Sequence, residues 1–182
     1  MPDLRQRTAP LDHAATLWSP RPDFASVTIE RDGWAARSVT GLSQCLVSGN
    51  LAAARKAFAP DALEMGLWSI ATSIPILVRI ARDRALIVGH DTGVVPSGWR
   101  PEGFAASDAT DLYAVVEIAG PAMRDIVAQA TAADLDSGSP SATVVFAGLQ
   151  ALLYRVDEQA ARIHVETSQA TALWHWLEKL PG

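Results

Sequence analysis

Between Asp111 and Leu180 the residue pattern changes period several times, and those changes dictate an order of elements. In Asp111 to Ala119, Leu112, Ala114, Val116 and Ile118 share one face at a spacing of two, which predicts a strand. Gly120-Pro121 breaks the run. Pro121 suits the first helical position, where the N–H it lacks has no partner in any case. Met123, Ile126, Val127 and Ala130 then form one apolar stripe with Arg124, Asp125 and Gln129 outside it, the signature of an amphipathic helix. Two strands follow around Gly148, then a strand over Arg162 to Glu166, then a last helix from Gln169 to Leu180. On that helix Ala170, Leu173, Trp176, Leu177 and Leu180 line one side and Trp174 falls on the flank.

The first half is patterned more weakly. Residues 1–24 carry Pro2, Pro10, Pro20 and Pro22 and predict an extended arm, with Trp18 as its anchor. Val27, Ile29 and Arg31 alternate with Thr28 and Glu30 as a short strand. From Thr40 to Phe58 the spacing of Leu42, Cys45 and Leu46 predicts a helix. Gly49-Asn50 interrupts it, and Asn50 caps a second turn carrying Leu51, Ala54 and Phe58. Ile76 to Ala81 and Ala85 to Val88 read as a hairpin joined through Asp83-Arg84.

Residues 91–110, rich in Gly and Pro, read as a connecting loop pinned by Trp99 and Phe104, or as a docking loop. Each half then holds strand, helix, strand, strand. This predicts an α+β fold: two β-α-β-β-like halves, at 25–90 and 111–182, with largely antiparallel sheets and helices on one face, forming one compact domain of 182 residues.

Composition removes several functions. A net charge of −5 supplies no basic field for nucleic acid. The single Cys45 allows no disulfide within the chain and fits a reducing compartment. The first two dozen residues contain no apolar block of the signal-peptide kind. The apolar segment from Leu67 to Ala81 is shorter than the ~20 residues a spanning helix needs. The expectation is a cytoplasmic protein with no membrane partner. Its 49% hydrophobic residues and six Trp predict a large core or a face hidden against a partner.

The search for chemistry is largely negative. No glycine-rich phosphate loop, paired cysteines, His-Glu-x-x-His or Gly-x-Ser-x-Gly occurs. Arg162, His164 and Glu166 alternate on one strand face, where a His beside a carboxylate would suit a general base. Alternation by itself predicts that this is simply the solvated face of a half-buried strand. His90-Asp91 lies at a strand end, and adjacent residues there point to opposite faces, so Asp91-Thr92-Gly93 reads as turn chemistry. Cys45, between Leu42 and Leu46, reads as buried and inert. The expectation is no catalytic residue and no metal ligand. Trp99, Phe104 and Trp174 are the aromatic candidates for a partner interface.

Several short stretches carry a family resemblance by their order: Gly120-Pro121, Asp134-Leu135, Ser139-Pro140-Ser141-Ala142, Leu152-Leu153-Tyr154-Arg155 and Trp174-His175-Trp176-Leu177. In these the chain resembles the gamma subunit of heterotetrameric sarcosine oxidase, within the folate-binding aminomethyltransferase superfamily. The resemblance implies that superfamily's fold and a non-catalytic accessory subunit. It implies that FAD, FMN, NAD and tetrahydrofolate are held by larger alpha and beta subunits, with a small delta subunit completing the complex and no cofactor on this chain. The chain departs from the family after the predicted hairpin. A Trp-Leu-Gly-Pro-Asp-Glu-Trp-like stretch is usual there, whereas Ala85 to Asp91 contains no Trp, which marks a divergent member. The alternatives are a free-standing folate or small-molecule binding module using the cleft between the halves, and a one-carbon-transfer enzyme acting alone.

Overall fold

A computed structural model of the chain describes residues 22–89 and 97–181. The strands, in chain order, are β1 (Thr28–Arg31), β2 (Trp34–Val39), β3 (Gln44–Gly49), β4 (Leu63–Met65), β5 (Ile76–Ala81), β6 (Arg84–Val88), β7 (Gly98–Arg100), β8 (Phe104–Asp108), β9 (Tyr113–Ala119), β10 (Thr143–Phe146), β11 (Leu149–Asp157) and β12 (Ala160–Glu166). The helices are α1 (Leu51–Phe58), α2 (Met123–Ala130) and α3 (Ala170–Glu178), the last entered through a 3-10 turn at Thr167–Gln169.

These strands build two six-stranded sheets, ordered β1-β2-β9-β12-β11-β10 (sheet A) and β4-β5-β6-β3-β8-β7 (sheet B). The segments β3-α1-β4-β5-β6 and β9-α2-β10-β11-β12 follow the same order and place their strands alike. Strand pairing is antiparallel except between β4 and β5. Each repeat is completed by a hairpin from outside it: β1–β2 joins β9, and β7–β8 joins β3. The halves at 25–90 and 111–182 therefore interlock, because β1–β2 lies in the other half's sheet.

Period-2 alternation divides each strand between two cores. On sheet A, Val116, Ile118, Leu153, Ile163 and Val165 pack with Ile126 and Val127 of α2 and with Leu173, Trp174 and Leu177 of α3. On sheet B, Cys45, Val47, Ala85, Ile87 and Phe104 pack with Leu51 and Ala54 of α1. The remaining faces meet each other: Ile76, Val78, Leu86 and Val88 of sheet B lie against Leu152 and Tyr154 of sheet A. The layers run helix, sheet, sheet, helix. Each fully buried aliphatic side chain in them contributes about 1.5–3 kcal/mol.

The sequence expectations are corrected at five places. Residues Gln44 to Gly49 are a strand, not the start of a helix. Leu42, Cys45 and Leu46 fit a helical spacing, but Cys45 and Val47 also alternate with Gln44 and Leu46, and ladders to both β6 and β8 decide the outcome. Asn50 does cap α1, its side-chain oxygen accepting from the Ala53 N–H at 3.2 Å. Residues 98–108 are the β7–β8 hairpin rather than a loop. Ala105, Ala106 and Ser107 supply little β propensity, so the pattern was hidden.

Pro121 lies in the turn ahead of α2, whose N-cap is Ala122. The stripe Met123, Ile126, Val127 and Ala130 is buried as expected. Leu112 precedes β9 and is exposed. On α3 the buried side is Ala170, Leu173, Trp174 and Leu177, and Trp176 sits half-buried with its ring 5.7 Å from Phe146. Gly120 holds a positive φ of 121°, and a Cβ there would stand 2.6 Å from the Gly33 carbonyl oxygen, so the β9–α2 turn requires glycine. The arm up to residue 21, with Trp18, and the His90-Asp91-Thr92-Gly93 turn lie outside the described residues.

Candidate functional site

The polar residues of the second half gather on the face of sheet A that looks toward sheet B. Arg37 on β2, Glu117 on β9, Arg162 on β12 and Tyr154 on β11 stand opposite one another in register, forming one row across four strands. Glu117 is 6% exposed. It accepts from Arg37 Nη2 at 2.6 Å on one oxygen and from Arg162 Nε at 2.9 Å on the other. Two guanidiniums thus satisfy one buried carboxylate. Replacing Glu117 by glutamine is expected to cost about 2 kcal/mol, less than a fully buried pair would, because Arg37 can turn into solvent. A urea-denaturation midpoint would measure it, and an unchanged midpoint would show that the row contributes only geometry.

The neighbouring row contains His164, which is fully buried. Its Nδ1 lies 2.9 Å from Gln44 Oε1 on β3, and its Nε2 lies 2.9 Å from the Tyr154 hydroxyl. The Gln44 amide nitrogen donates to the carbonyls of Thr110 and Tyr113, at 3.3 and 3.0 Å. Its oxygen can only accept, so Nδ1 carries the imidazole proton and Nε2 accepts from the tyrosine O–H. The result is a satisfied chain from sheet B through the histidine to sheet A. Burial, with Arg162 adding to it, pushes the His164 pKa down to about 3, and burial pushes the Tyr154 phenol up to about 12. Near neutral pH neither exchanges a proton.

The expectation that Arg162, His164 and Glu166 form a solvated face is corrected for two of the three. His164 is covered by sheet B, and the Arg162 side chain is 19% exposed, while Glu166 stays on the surface. Alternation reveals that a strand has two faces but not what covers the polar one. His164 and Glu166 share no site. Three clefts stand out among the described residues, and His164 lines none of them.

Cys45 is buried on β3, and burial pushes its thiol up to about 11, so it holds no thiolate at neutral pH. No group of three or more His, Cys, Asp or Glu among the described residues has metal-ligating geometry. No helix among them is long and apolar enough to cross a membrane.

Of the three aromatic candidates, Trp99 stands on edge strand β7 and is 70% exposed. Phe104 and Trp174 are 1% exposed and present no surface of their own. Phe104 packs against Phe58, with ring centroids 5.7 Å apart, and Trp174 meets Phe24 edge-on at 6.2 Å.

Gln44, Glu117 and Tyr154 were missed as members of the polar layer. A carboxylate inside the apolar stretch from Tyr113 to Ala119 was a legible signal, since such a group needs partners once buried. Gln44 gave no comparable signal, because its strand carried a helical spacing.

The fold matches a chain of the heterotetrameric sarcosine oxidase from Corynebacterium sp. U-96, solved in complex with pyrrole 2-carboxylate. The TM-score is 0.63 at 20% sequence identity, over 84% of this chain and 85% of that one. The near-equal coverage makes the two chains similar in length. No family model matches the sequence, and neither does any curated protein.

Proposed function

We propose that this chain is a non-catalytic accessory subunit of a flavin-dependent, folate-linked oxidoreductase of the sarcosine oxidase kind. The observation that carries the reading is the shared fold over nearly the whole of both chains. The use made of the buried polar groups supports it. Both nitrogens of His164 and both oxygens of Glu117 are engaged within the protein, as befits a scaffold. In this reading the chain is the gamma subunit, of the aminomethyltransferase-like fold. Its partners are larger alpha and beta chains that hold FAD, FMN, NAD and tetrahydrofolate, and a small delta chain. Trp99 on the edge of sheet B is its docking aromatic.

A folate-binding module using a cleft between the halves is less well supported. The clefts lined by both halves hold about 210, 300 and 440 Å³, at or below the lower part of the ~300–1,000 Å³ range of pockets that enclose small-molecule ligands.

Affinity purification of the tagged chain from its native host, followed by mass spectrometry and a visible absorption spectrum, tests the proposal. The expected result is co-purifying larger chains with flavin absorbance. A colourless chain eluting alone would overturn it. Trp99→Ala is expected to reduce recovery of the partners strongly, as loss of an interface tryptophan does, while moving the thermal midpoint by no more than about 2 °C. Full recovery with that variant would place the interface elsewhere.

A further inference from the structure

At one margin of the space between the sheets lies a pocket of about 210 Å³ whose charged groups, unlike those of the buried rows, are not paired within the protein, although Thr143 in its lining donates to the Ile80 carbonyl at 2.9 Å. Leu46, Ile80 and Arg84 come to it from sheet B, and Tyr113, Leu152 and Glu166 from sheet A. Leu46, Ile80 and Leu152 give it an apolar floor continuous with the core between the sheets. Tyr113 and Glu166 are direct cross-strand partners of β9 and β12, so their side chains emerge on the same face. All three side chains line the pocket, and the Tyr113 pKa is raised by burial and then by Glu166, with Arg84 opposing. Yet the Arg84 and Glu166 side chains form no ion pair or hydrogen bond with each other or with any other described residue, and the Tyr113 hydroxyl likewise forms no hydrogen bond among the described residues.

A cation and an anion that line one pocket without pairing with each other, beside a phenol and over an apolar floor, match a ligand carrying the same two charges in the opposite sense. We propose that this pocket binds a small zwitterion of the α-amino acid class, its carboxylate at Arg84, its ammonium at Glu166 and its aliphatic part on Leu46, Ile80 and Leu152. The volume sets the size. It is small beside the ~300–1,000 Å³ of pockets that enclose drug-sized ligands, which suits one compact amino acid. A guanidinium suits the carboxylate because its planar donors can meet both oxygens. Few contacts and open access keep the affinity low, with a dissociation constant on the order of 1 mM. The site is independent of the subunit reading, and its failure would leave that reading untouched.

The test uses the full chain and backbone amide NMR shifts, titrated with L-proline and L-alanine, and with acetate and ethylammonium as probes of one charge each. The expected result is saturable shifts at Arg84, Tyr113 and Glu166 with the amino acids, and at least about tenfold weaker binding of either single-charge probe. Arg84→Gln and Glu166→Gln replace exposed side chains and should leave the fold intact, while each weakens amino-acid binding at least about tenfold. No saturable shift up to about 20 mM would overturn the proposal, given the expected affinity. So would acetate binding as well as proline, or shifts that persist in both variants.

Discussion

Replacing His164 by alanine is expected to remove about 3–5 kcal/mol of stability, enough to lower the melting temperature by about 6–20 °C in a chain of this size. The imidazole is fully buried between two sheets, and its removal leaves the Tyr154 O–H without its acceptor on one side and the Gln44 side-chain carbonyl without its donor on the other. Each group left unpaired away from water costs about 1–3 kcal/mol, and the space vacated adds to that. Gln44 is 2% exposed and Tyr154 fully buried, so neither can turn to solvent. The change should appear in the denaturation midpoint with an unchanged slope. A loss below about 1 kcal/mol would mean that the two groups find partners without the histidine, and that the relay does not join the sheets.

The same residue sets a pH dependence whose sign follows from its environment. The folded-state pKa is depressed to about 3, below the ordinary value of 6.5, so the folded state resists protonation more than the unfolded chain does. The stabilisation is therefore complete above pH 6.5 and is lost as pH falls toward 3, at up to about 1.4 kcal/mol per pH unit. Comparing His164→Gln with the native chain from pH 6.5 to 4.5 isolates this contribution, because the exposed carboxylates titrate equally in both. The native protein should lose stability more steeply than the variant. Parallel curves would show that the histidine is hydrated or already charged in the fold.

The second half was legible because its signals were redundant. The α2 stripe, the strands around Gly148 and the alternation of β12 each match period to element without a competing reading. The first half was not, because its decisive partners lie far along the chain. The spacing in Leu42 to Leu46 suits a helix until β6 and β8 flank it, and β8 belongs to a stretch whose alanines and glycine carry almost no strand preference. The exchange of hairpins between the sheets has no local signature at all. The site suffered in the same way. Alternation in β12 groups Arg162, His164 and Glu166, but it cannot report that sheet B covers His164 and leaves Glu166 on the surface. On the last helix the apolar stripe can be drawn through Trp176 as well as through Trp174, so spacing alone leaves Trp174 on the flank. The buried core on sheet A, in which Trp174 packs and against which Trp176 lies only partly buried, makes the choice, and Phe24, about 150 residues earlier, meets the Trp174 ring edge-on.

Gly66→Ala is expected to cost at least about 3 kcal/mol, and the reason is space rather than dihedral strain. A Cβ on Gly66 would overlap the Ser139 carbonyl oxygen and stand 3.0 Å from the Ser139 carbonyl carbon and 3.1 Å from that of Pro140. All three obstacles are backbone, so no side chain can swing aside. The two segments would have to separate, although they are tied by the Leu67 N–H, which donates to the Ser139 and Ser141 carbonyls at 2.9 and 3.0 Å. The next residue, Trp68, is buried with the Arg155 and Arg124 guanidiniums over its ring at 5.2 and 5.9 Å, and Arg155 Nε donates to its carbonyl at 3.0 Å. Displacing Leu67 therefore loosens the linkage between β4 of sheet B and the strands β10 and β11 of sheet A. Gly41→Ala supplies the contrast. Gly41 has open space where its Cβ would be and a φ of +76°, so its substitution should cost only the ~1–2 kcal/mol of a left-handed alanine. If Gly66→Ala proved no more costly than Gly41→Ala, the close approach would not be what fixes this junction. If it proves far more costly and also flattens the near-ultraviolet signal of Trp68, the docking of the two sheets rests on the one position in that linkage where only hydrogen fits.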